Sequence, residues 1–162
     1  RSLQSLGRPR RDVESMYDHA LAVAPDSVLV LASYADWLRM VPREVYQAER
    51  LYRQALALSP RHLPSVRGMA AVCKATNDID GAAKMYERAL QVDPDHASTR
   101  YNYGALLQRH MSDDNAAISN YERVLAVDPA HPAALVNTAT ILQARNGTTQ
   151  RVVAMLLSAA EA

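Results

Sequence analysis

Apolar residues recur along this chain at the spacing of an amphipathic helix, and one helical segment returns at a regular interval. In "KMYERALQVDPDH" (84–96), Tyr86 and Leu90 fall one turn apart on the same helix face. Residues 119–131 repeat this segment almost unchanged as "SNYERVLAVDPAH". Pro94 predicts the end of the helix in the first copy, because proline lacks a backbone N–H and disfavours helical geometry in the residue before it.

Two weaker copies of the same segment begin at Ser15 and Arg50, so the pattern occurs four times. Internal repetition at a period of about 20 to 50 residues is the sequence signature of stacked repeats. A single copy cannot bury both of its apolar faces, so we expect neighbouring copies to pack on one another. The aligned tyrosines, at spacings of 35, 34 and 35, are Tyr17, Tyr52, Tyr86 and Tyr121.

A second apolar pattern at helical spacing follows each closing proline. In one copy Val66, Met69 and Cys73 carry it at i, i+3 and i+7. The turn between the two helices consists of helix breakers and N-capping residues, as in "TNDIDG" at 76–81. Each copy is therefore predicted to be a helix–turn–helix pair, and copies of 35 residues carry one extra turn residue.

Small residues recur at one position in each helix of the pair, which indicates that the two helices approach too closely for a large side chain between their axes. Bulky residues beside them are expected to fill the layer. The small positions are Ala35, Ala70, Gly104 and Ala139, then Ala48, Ala82, Ala117 and Val152, and the bulky positions are Tyr52, Tyr86, Tyr121 and Leu156. The pattern predicts an all-α fold of about nine helices in stacked antiparallel pairs.

This pattern resembles the tetratricopeptide repeat. The resemblance rests on a small residue in each helix, an aromatic residue in the second helix and the closing "YERAL" and "DP". It implies a right-handed α-solenoid formed by a single array. The missing initiator Met leads us to expect a segment of a longer protein. The array comprises the second helix of a partial repeat at 8–25, repeats at 28–60, 63–94 and 97–129, and a terminal repeat at 132–162.

Composition and charge narrow the classes of partner. With 162 residues, of which 49% are hydrophobic and 22% charged, the chain can bury a sizeable core. A formal net charge of +1 gives no bulk attraction to nucleic acid or to an anionic membrane. Arg8, Arg10 and Arg11 are expected to form a solvated turn. Neither a run of roughly 18 apolar residues nor a secretory signal is present, so we expect an intracellular protein, cytoplasmic or nuclear, without direct nucleic-acid or membrane binding.

Candidate chemistry is sparse. His62, His96 and His131 recur two residues after the closing prolines. Equivalent positions in stacked helices lie roughly 10 Å apart, whereas the ligands of one zinc ion lie about 2 Å from it, so we interpret these histidines as loop residues. Cys73 lies among apolar neighbours, which favours burial. Without a phosphate loop, a Cys/His cluster or a glycine-framed serine, we expect no catalysis, no cofactor and no metal.

In the family, the side of the first helix that faces away from the core lines a concave groove. The 100° step per residue predicts which residues lie on that side. They are Leu29, Ala32, Ser33, Asp36, Arg39 and Met40; Pro64, Arg67, Gly68, Ala71, Lys74 and Ala75; Ser98, Tyr101, Asn102, Ala105, Gln108 and Arg109; and Ala133, Val136, Asn137, Thr140, Gln143 and Ala144. Four cations and one carboxylate among them give this side a charge of +3.

Two asparagines at the same groove position in adjacent repeats, Asn102 and Asn137, are predicted to form the centre of a peptide-binding site. A side-chain amide can donate to a peptide carbonyl and accept from a peptide N–H. Tyr101 would be an apolar anchor, and the nearby cations would favour acidic residues or a free carboxylate. The predicted site consists of Arg67, Lys74, Tyr101, Asn102, Arg109 and Asn137.

The resemblance implies a non-catalytic protein–protein interaction scaffold that binds a peptide segment of a partner in this groove, and the groove cations favour an acidic partner. Two alternatives stay open at this point. The chain could be the substrate-selecting arm of a larger enzyme such as a protein glycosyltransferase. It could also be a scaffold of an RNA-processing assembly, because "SYADWLRM" followed by "AERLYRQAL" resembles the half-a-tetratricopeptide repeat. Incomplete repeats at both ends leave apolar stacking faces, from which we expect self-association.

Overall fold

The computed structural model describes residues 10–147 and 149–161, apart from the side chain of Asn146. These residues form nine α-helices, a short π-helix and no strand. The chain divides between Asn77 and Asp78 into two compact units. The first contains α1 (Arg10–Val23), α2 (Val28–Arg39), α3 (Val45–Leu58) and α4 (Leu63–Ala75), and the second contains α5 (Ile79–Val92), α6 (Ala97–Leu106), the π-helix (Leu107–Met111), α7 (Asp114–Val127), α8 (Pro132–Asn146) and α9 (Gln150–Glu161).

The all-α class predicted from the sequence is confirmed over these ranges. In the first unit α3 packs against both α2 and α4, and in the second unit α6 packs with α7 and α8 with α9. Arg10 and Arg11 are the first two residues of α1, so their assignment to a turn is wrong, and Arg8 lies outside the described residues. No helix in the described ranges combines the length and the apolar character needed to cross a membrane.

Close helix packing in the first unit centres on the ring of Tyr52. Tyr52 is fully buried, and so are the small residues predicted beside it, Ala35, Ala48 and Ala70. A Cβ atom at Gly68 would lie only 2.2 Å from Cζ of the Tyr52 ring, so α4 can pass over the ring only with glycine at this position.

Two residues assigned to the exposed side of the first helices are in fact buried. Gly68 is covered by the Tyr52 ring, and Ala32 is only 3% exposed. Both are small, so a neighbouring side chain or helix can close over them. Fewer residues are therefore exposed on this side of α2 and α4 than the 100° step per residue predicts.

The second unit also packs closely around a buried tyrosine, Tyr121, but its glycine lies on the helix before the ring, at the position that Ala35 has in the first unit. This ring is fully buried, and a Cβ atom at Gly104 would lie 2.8 Å from Cε1 of the ring and 3.2 Å from the carbonyl oxygen of Ala117. The remaining small positions of this unit, Ala82, Ala139 and Val152, are also fully buried. The prediction of close helix–helix contact at the small residues is thus confirmed in both units.

The terminal repeat departs from the pattern at its bulky position. Leu156, which was expected to fill the layer as the tyrosines do, is 40% exposed. Its neighbours Val153 and Leu157 are exposed as well. Among the described helices, none covers this face of α9, so the prediction of a buried Leu156 is wrong.

The extra residue of the repeat at 97–129 is accommodated in a helical turn. After Leu106 the helix continues as the π-helix, whose wider turns take one more residue than α-helical ones. Ser112 then adopts a left-handed conformation with φ 53°, and the Asp113 N–H donates to the Leu107 carbonyl at 3.1 Å. The prediction of an extra turn residue is therefore corrected here, and Gln108 and Arg109 lie in the π-helix.

We expect Gly104→Leu to lower the free energy of unfolding by about 1–3 kcal/mol or more, because the larger side chain would overlap the Tyr121 ring in a packed layer. Thermal and urea denaturation followed by circular dichroism would measure this. Ala126→Leu, at an exposed position of α7, is the matched control and should leave the midpoint nearly unchanged. Equal midpoints for the two variants would contradict the close-packing assignment.

Candidate functional site

The recurring histidines initiate helices. His62, His96 and His131 occupy the N-cap positions of α4, α6 and α8. Nδ1 of His131 accepts from the Ala134 N–H at 3.2 Å, as Nδ1 of His96 does from the Thr99 N–H at the same distance. Over the described ranges no three His, Cys, Asp or Glu residues are close enough to hold a metal ion.

A sequence signal for this capping role was available but was not used. Ser27 stands at the matching position before α2, and its hydroxyl accepts from the Val30 N–H at 3.4 Å. Serine is a common N-cap residue, and an imidazole nitrogen with a lone pair can accept the same backbone N–H. The alignment of Ser27 with the histidines therefore indicates capping, which His96 and His131 perform, whereas Nδ1 of His62 lies 2.8 Å from the Ser65 hydroxyl and accepts no backbone N–H of the helix.

The second unit gathers polar side chains from three helices around the Tyr121 hydroxyl. Nδ2 of Asn137 in α8 donates to this hydroxyl at 3.1 Å, and the hydroxyl donates to Oε1 of Gln108 at 2.9 Å. Nδ2 of Asn137 also lies 3.4 Å from the Tyr101 hydroxyl of α6. We call Tyr101, Gln108, Tyr121 and Asn137 the Tyr121 cluster. Its hydrogen bonds fix the orientation of the Asn137 amide.

Aromatic contacts hold the outer part of the cluster. The Tyr101 ring lies 5.9 Å from the Tyr121 ring and 5.3 Å from the His131 imidazole, measured between centroids. Tyr101 is half-buried, so its ring presents an apolar edge at the surface while its hydroxyl meets Asn137. The role of Tyr101 as an apolar anchor for a peptide stays a prediction.

The two predicted asparagines differ in their contacts. Asn102 lies next to Tyr101 on α6, where Nδ2 donates to the Ser98 carbonyl oxygen of the same helix at 2.8 Å. Asn137 instead donates across to α7. The structure thus brings Asn137 together with Tyr101, while the amide of Asn102 is partly committed to its own helix.

Arg109 adds the only cation of the predicted site that lies in the second unit. It is exposed, and it follows Gln108 in the π-helix. Burial raises the pKa of the Tyr121 hydroxyl above its usual value, while the Asn137 hydrogen bond and the Arg109 charge act in the opposite direction. Tyr121 therefore stays protonated at neutral pH, and the cluster is uncharged with a guanidinium nearby.

Arg67 and Lys74 belong to α4 in the first unit. Arg67 is half-buried and Lys74 is exposed. In that unit the Tyr52 hydroxyl donates to Oδ1 of Asp36 at 2.5 Å. Burial, and then this hydrogen bond, raise the pKa of Tyr52 well above its usual value. In both units the hydroxyl of the buried tyrosine therefore reaches the predicted groove side of the first helices. Its partner is the Asp36 carboxylate in the first unit and the side-chain amides of Gln108 and Asn137 in the second.

Two residues of the Tyr121 cluster were outside the predicted site. Tyr121 was predicted to be a core residue only. The hydroxyl of a buried tyrosine needs a hydrogen-bond partner, and this is the signal that could have placed Tyr121 in the site. Gln108 was placed on the groove side but was not selected. Ala105 holds the position that Asp36 has in the first unit, so the hydroxyl instead reaches Gln108, one turn further along.

The comparisons with known proteins agree with this architecture. The sequence model described as Tetratricopeptide repeat matches residues 47–98. The crystal structure of MamA superposes with a TM-score of 0.78 at 16% identity and covers 90% of this chain and 83% of that one. No curated protein sequence matches the chain.

Two further structures are similar. A MamA RS-1 double mutant has a TM-score of 0.79 at 13% identity and covers 93% of this chain and 83% of that one. PilF of Pseudomonas aeruginosa has a TM-score of 0.83 at 18% identity, with 93% and 68% covered. At these identities the likeness is one of fold, and it confirms the predicted solenoid class.

We expect His131→Ala to lower the free energy of unfolding by about 1 kcal/mol, because the Ala134 N–H loses its capping partner. His131→Asn should restore most of the loss, since an asparagine oxygen can accept the same bond. His19→Ala, at an exposed position within α1, is the control for removing an imidazole. If urea denaturation gave equal stabilities for His131→Ala and His19→Ala, the capping role would be refuted.

Proposed function

We propose that this chain, a tetratricopeptide-repeat protein by its fold and by the family match at 47–98, is a non-catalytic scaffold that binds an extended acidic segment of a partner protein at the Tyr121 cluster. The tetratricopeptide fold is a scaffold for protein–protein interaction, because stacked helix pairs create extended surfaces for a partner. The observation that supports this particular site is the oriented amide of Asn137 beside the half-buried Tyr101 ring.

The hydrogen-bonding capacity of the cluster suits a peptide backbone. The N–H groups of Asn137 are directed at two tyrosine hydroxyls, which leaves its Oδ1 atom to accept from a peptide N–H. The Tyr101 hydroxyl accepts from Asn137 and can donate its own hydrogen to a peptide carbonyl. Asn102 has a second N–H beyond the one it donates to Ser98. These groups together match an extended strand of peptide.

The charge beside the cluster favours an acidic ligand. Arg109 is exposed and lies one residue from Gln108. A guanidinium forms strong paired hydrogen bonds with carboxylates. Arg67 and Lys74 belong to α4 of the first unit, and their part in peptide binding stays a separate prediction from the sequence. The proposal includes no catalytic step, because amides, phenols and a guanidinium without an adjacent base supply no activated nucleophile.

The alternatives of a substrate-selecting enzyme arm and of an RNA-processing scaffold also stay proposals. Either one would still have to hold a segment of another protein on this surface. A peptide-binding experiment on the Tyr121 cluster therefore bears on all three.

We expect Asn137→Ala to weaken binding of a fluorescein-labelled acidic peptide by about tenfold, the effect of losing one or two well-placed hydrogen bonds. Arg109→Ala should weaken binding at low salt and reduce its dependence on ionic strength, because an exposed ion pair is screened by salt. Fluorescence anisotropy with an acidic peptide library and its amide-substituted counterpart would measure both effects.

Thr140→Ala is the matched control for this experiment. Thr140 is exposed on the same helix as Asn137, and its hydroxyl donates to the Val136 carbonyl of that helix. Its removal should leave peptide affinity unchanged. Binding that survives the double change Asn102→Ala/Asn137→Ala and ignores salt would rule out this site.

We also propose self-association through α9, where the apolar side chains of Val153, Leu156 and Leu157 are exposed on one face. Leu157→Glu, at a position 61% exposed, should shift sedimentation velocity profiles at high concentration towards the monomer. Val23→Glu, at a position 74% exposed near the end of α1, is the control. A monomer at every concentration, before any substitution, would dismiss the proposal.

A further inference from the structure

The Tyr121 hydroxyl carries a single hydrogen, and the direction of this hydrogen determines how the neighbouring amide is oriented. The hydroxyl donates it to Oε1 of Gln108 at 2.9 Å. Towards Asn137 the hydroxyl oxygen can then act only as an acceptor, and Nδ2 of Asn137 donates to it at 3.1 Å. The same Nδ2 lies 3.4 Å from the Tyr101 hydroxyl, so both N–H groups of the Asn137 amide have a tyrosine oxygen as partner.

The other end of the Asn137 amide has no such partner. None of the residues in the described ranges donates a hydrogen bond to Oδ1 of Asn137. Asn137 is half-buried, so its side chain is accessible from the surface. The cluster therefore leaves an amide oxygen, and not an amide N–H, for a group outside the protein.

Packing fixes the place of the hydroxyl that sets this orientation. The Tyr121 ring is fully buried, and a Cβ atom at Gly104 would lie only 2.8 Å from its Cε1 atom. A ring enclosed this closely cannot swing its hydroxyl away from the amide. The orientation of Asn137 thus depends on a rigid element of the core and on the one acceptor, Gln108.

The first unit has the same direction of donation but no amide to orient. There the Tyr52 hydroxyl donates to Oδ1 of Asp36, and an ionised carboxylate can only accept. Gln108 takes this accepting role in the second unit. The position of Asn137, two residues before the buried small residue of its helix, is held in the first unit by Gly68. An oriented amide at this position is therefore particular to the Tyr121 cluster.

We propose that Tyr121 and Gln108 are positioning residues that give the candidate site a fixed hydrogen-bonding polarity, so that it selects a partner segment with a peptide N–H facing Oδ1 of Asn137 and excludes proline at that residue. The inference rests on the proposed peptide-binding function and adds the chemical class of the group that Asn137 contacts. Proline has no backbone N–H, so it would leave the amide oxygen without a partner in the complex.

The test is an ester scan of the fluorescein-labelled acidic peptide, in which one backbone N–H at a time is replaced by an ester oxygen. We expect one position at which the ester binds about tenfold more weakly than the amide, the effect of losing one well-placed hydrogen bond. Proline at that residue should weaken binding at least as much. The ratio of the two affinities, measured by fluorescence anisotropy, is insensitive to protein charge because both peptides have the same charge.

Two variants remove the polarity without removing Asn137. Tyr121→Phe keeps the packed ring and deletes the hydroxyl, and Gln108→Met keeps a side chain of similar length without the amide acceptor. In both, the Asn137 amide can turn, so the tenfold ester effect should fall to about twofold or less. Tyr103→Phe is the matched control: it removes a hydroxyl of the same unit that donates to Glu87 at 2.7 Å, and it should leave the ester effect unchanged.

A conservative variant separates positioning from a merely structural role. Gln108→Glu should keep the full ester effect, because a carboxylate can only accept and the Tyr121 hydrogen stays directed at it. Overall affinity for the acidic peptide falls in this variant, since a negative charge is added. Gln143→Glu adds the same charge at an exposed position of α8 and is the control for that loss.

A second measurement needs no ligand. The side-chain amide signals of Asn137 in ¹H–¹⁵N spectra should shift in Tyr121→Phe and in Gln108→Met, but not in Tyr103→Phe. Unchanged Asn137 signals, an equal ester effect in Tyr121→Phe and Tyr103→Phe, or the lack of any ester-sensitive position in a peptide that binds would each overturn this inference alone. A folded chain that binds no acidic peptide would overturn the proposed function, and this inference with it.

Discussion

The contact between a tyrosine ring and a glycine on a crossing helix sets the geometry on which the rest of each unit depends. Tyr52 lies against Gly68, and Tyr121 lies against Gly104. Neither glycine position has room for a Cβ atom without movement of the ring, so the helix spacing is determined by the thickness of one aromatic layer. The alanines on the adjoining helices are fully buried for the same reason.

This aromatic layer also explains why polar side chains are hydrogen-bonded together on the predicted groove side of the first helices. A buried tyrosine ring carries a hydroxyl that needs a hydrogen-bond partner, and the ring directs it between two first helices. In the first unit Asp36 accepts from it. In the second unit the same hydroxyl contacts Gln108 and Asn137, because Ala105 replaces the carboxylate and the π-helix brings Gln108 within reach. A core residue thus organises the candidate binding surface.

Much of the fold could be predicted from the sequence, because the repeat period aligns the small residues that must be buried, and Ala35, Gly104 and Ala139 are buried as expected. The contacts of the candidate site could be predicted less well from the sequence. The 100° step assigned Gly68 to the groove, but exposure there depends on the Tyr52 ring of the preceding helix. The hydrogen bond of Gln108 with Tyr121 depends on a local change from α-helical to π-helical geometry, which no residue type in the sequence indicates. Even the contrast between Asn102 and Asn137, two identical residues at equivalent positions, arises from which carbonyl or hydroxyl lies nearest.

Repetition of one packing scheme leaves the remaining positions free to differ, and the two units differ at several of them. Leu31 and Leu51 are apolar and buried in the first unit, whereas Arg100 and Asn120 at the matching positions of the second unit are joined by a hydrogen bond of 3.1 Å. The small residues and tyrosines that set helix spacing are nearly the same in both units, so these substitutions change the surface without changing the fold. Positions beside the aromatic layer can therefore change with little effect on helix spacing, and they are where the proposed binding preference would be set.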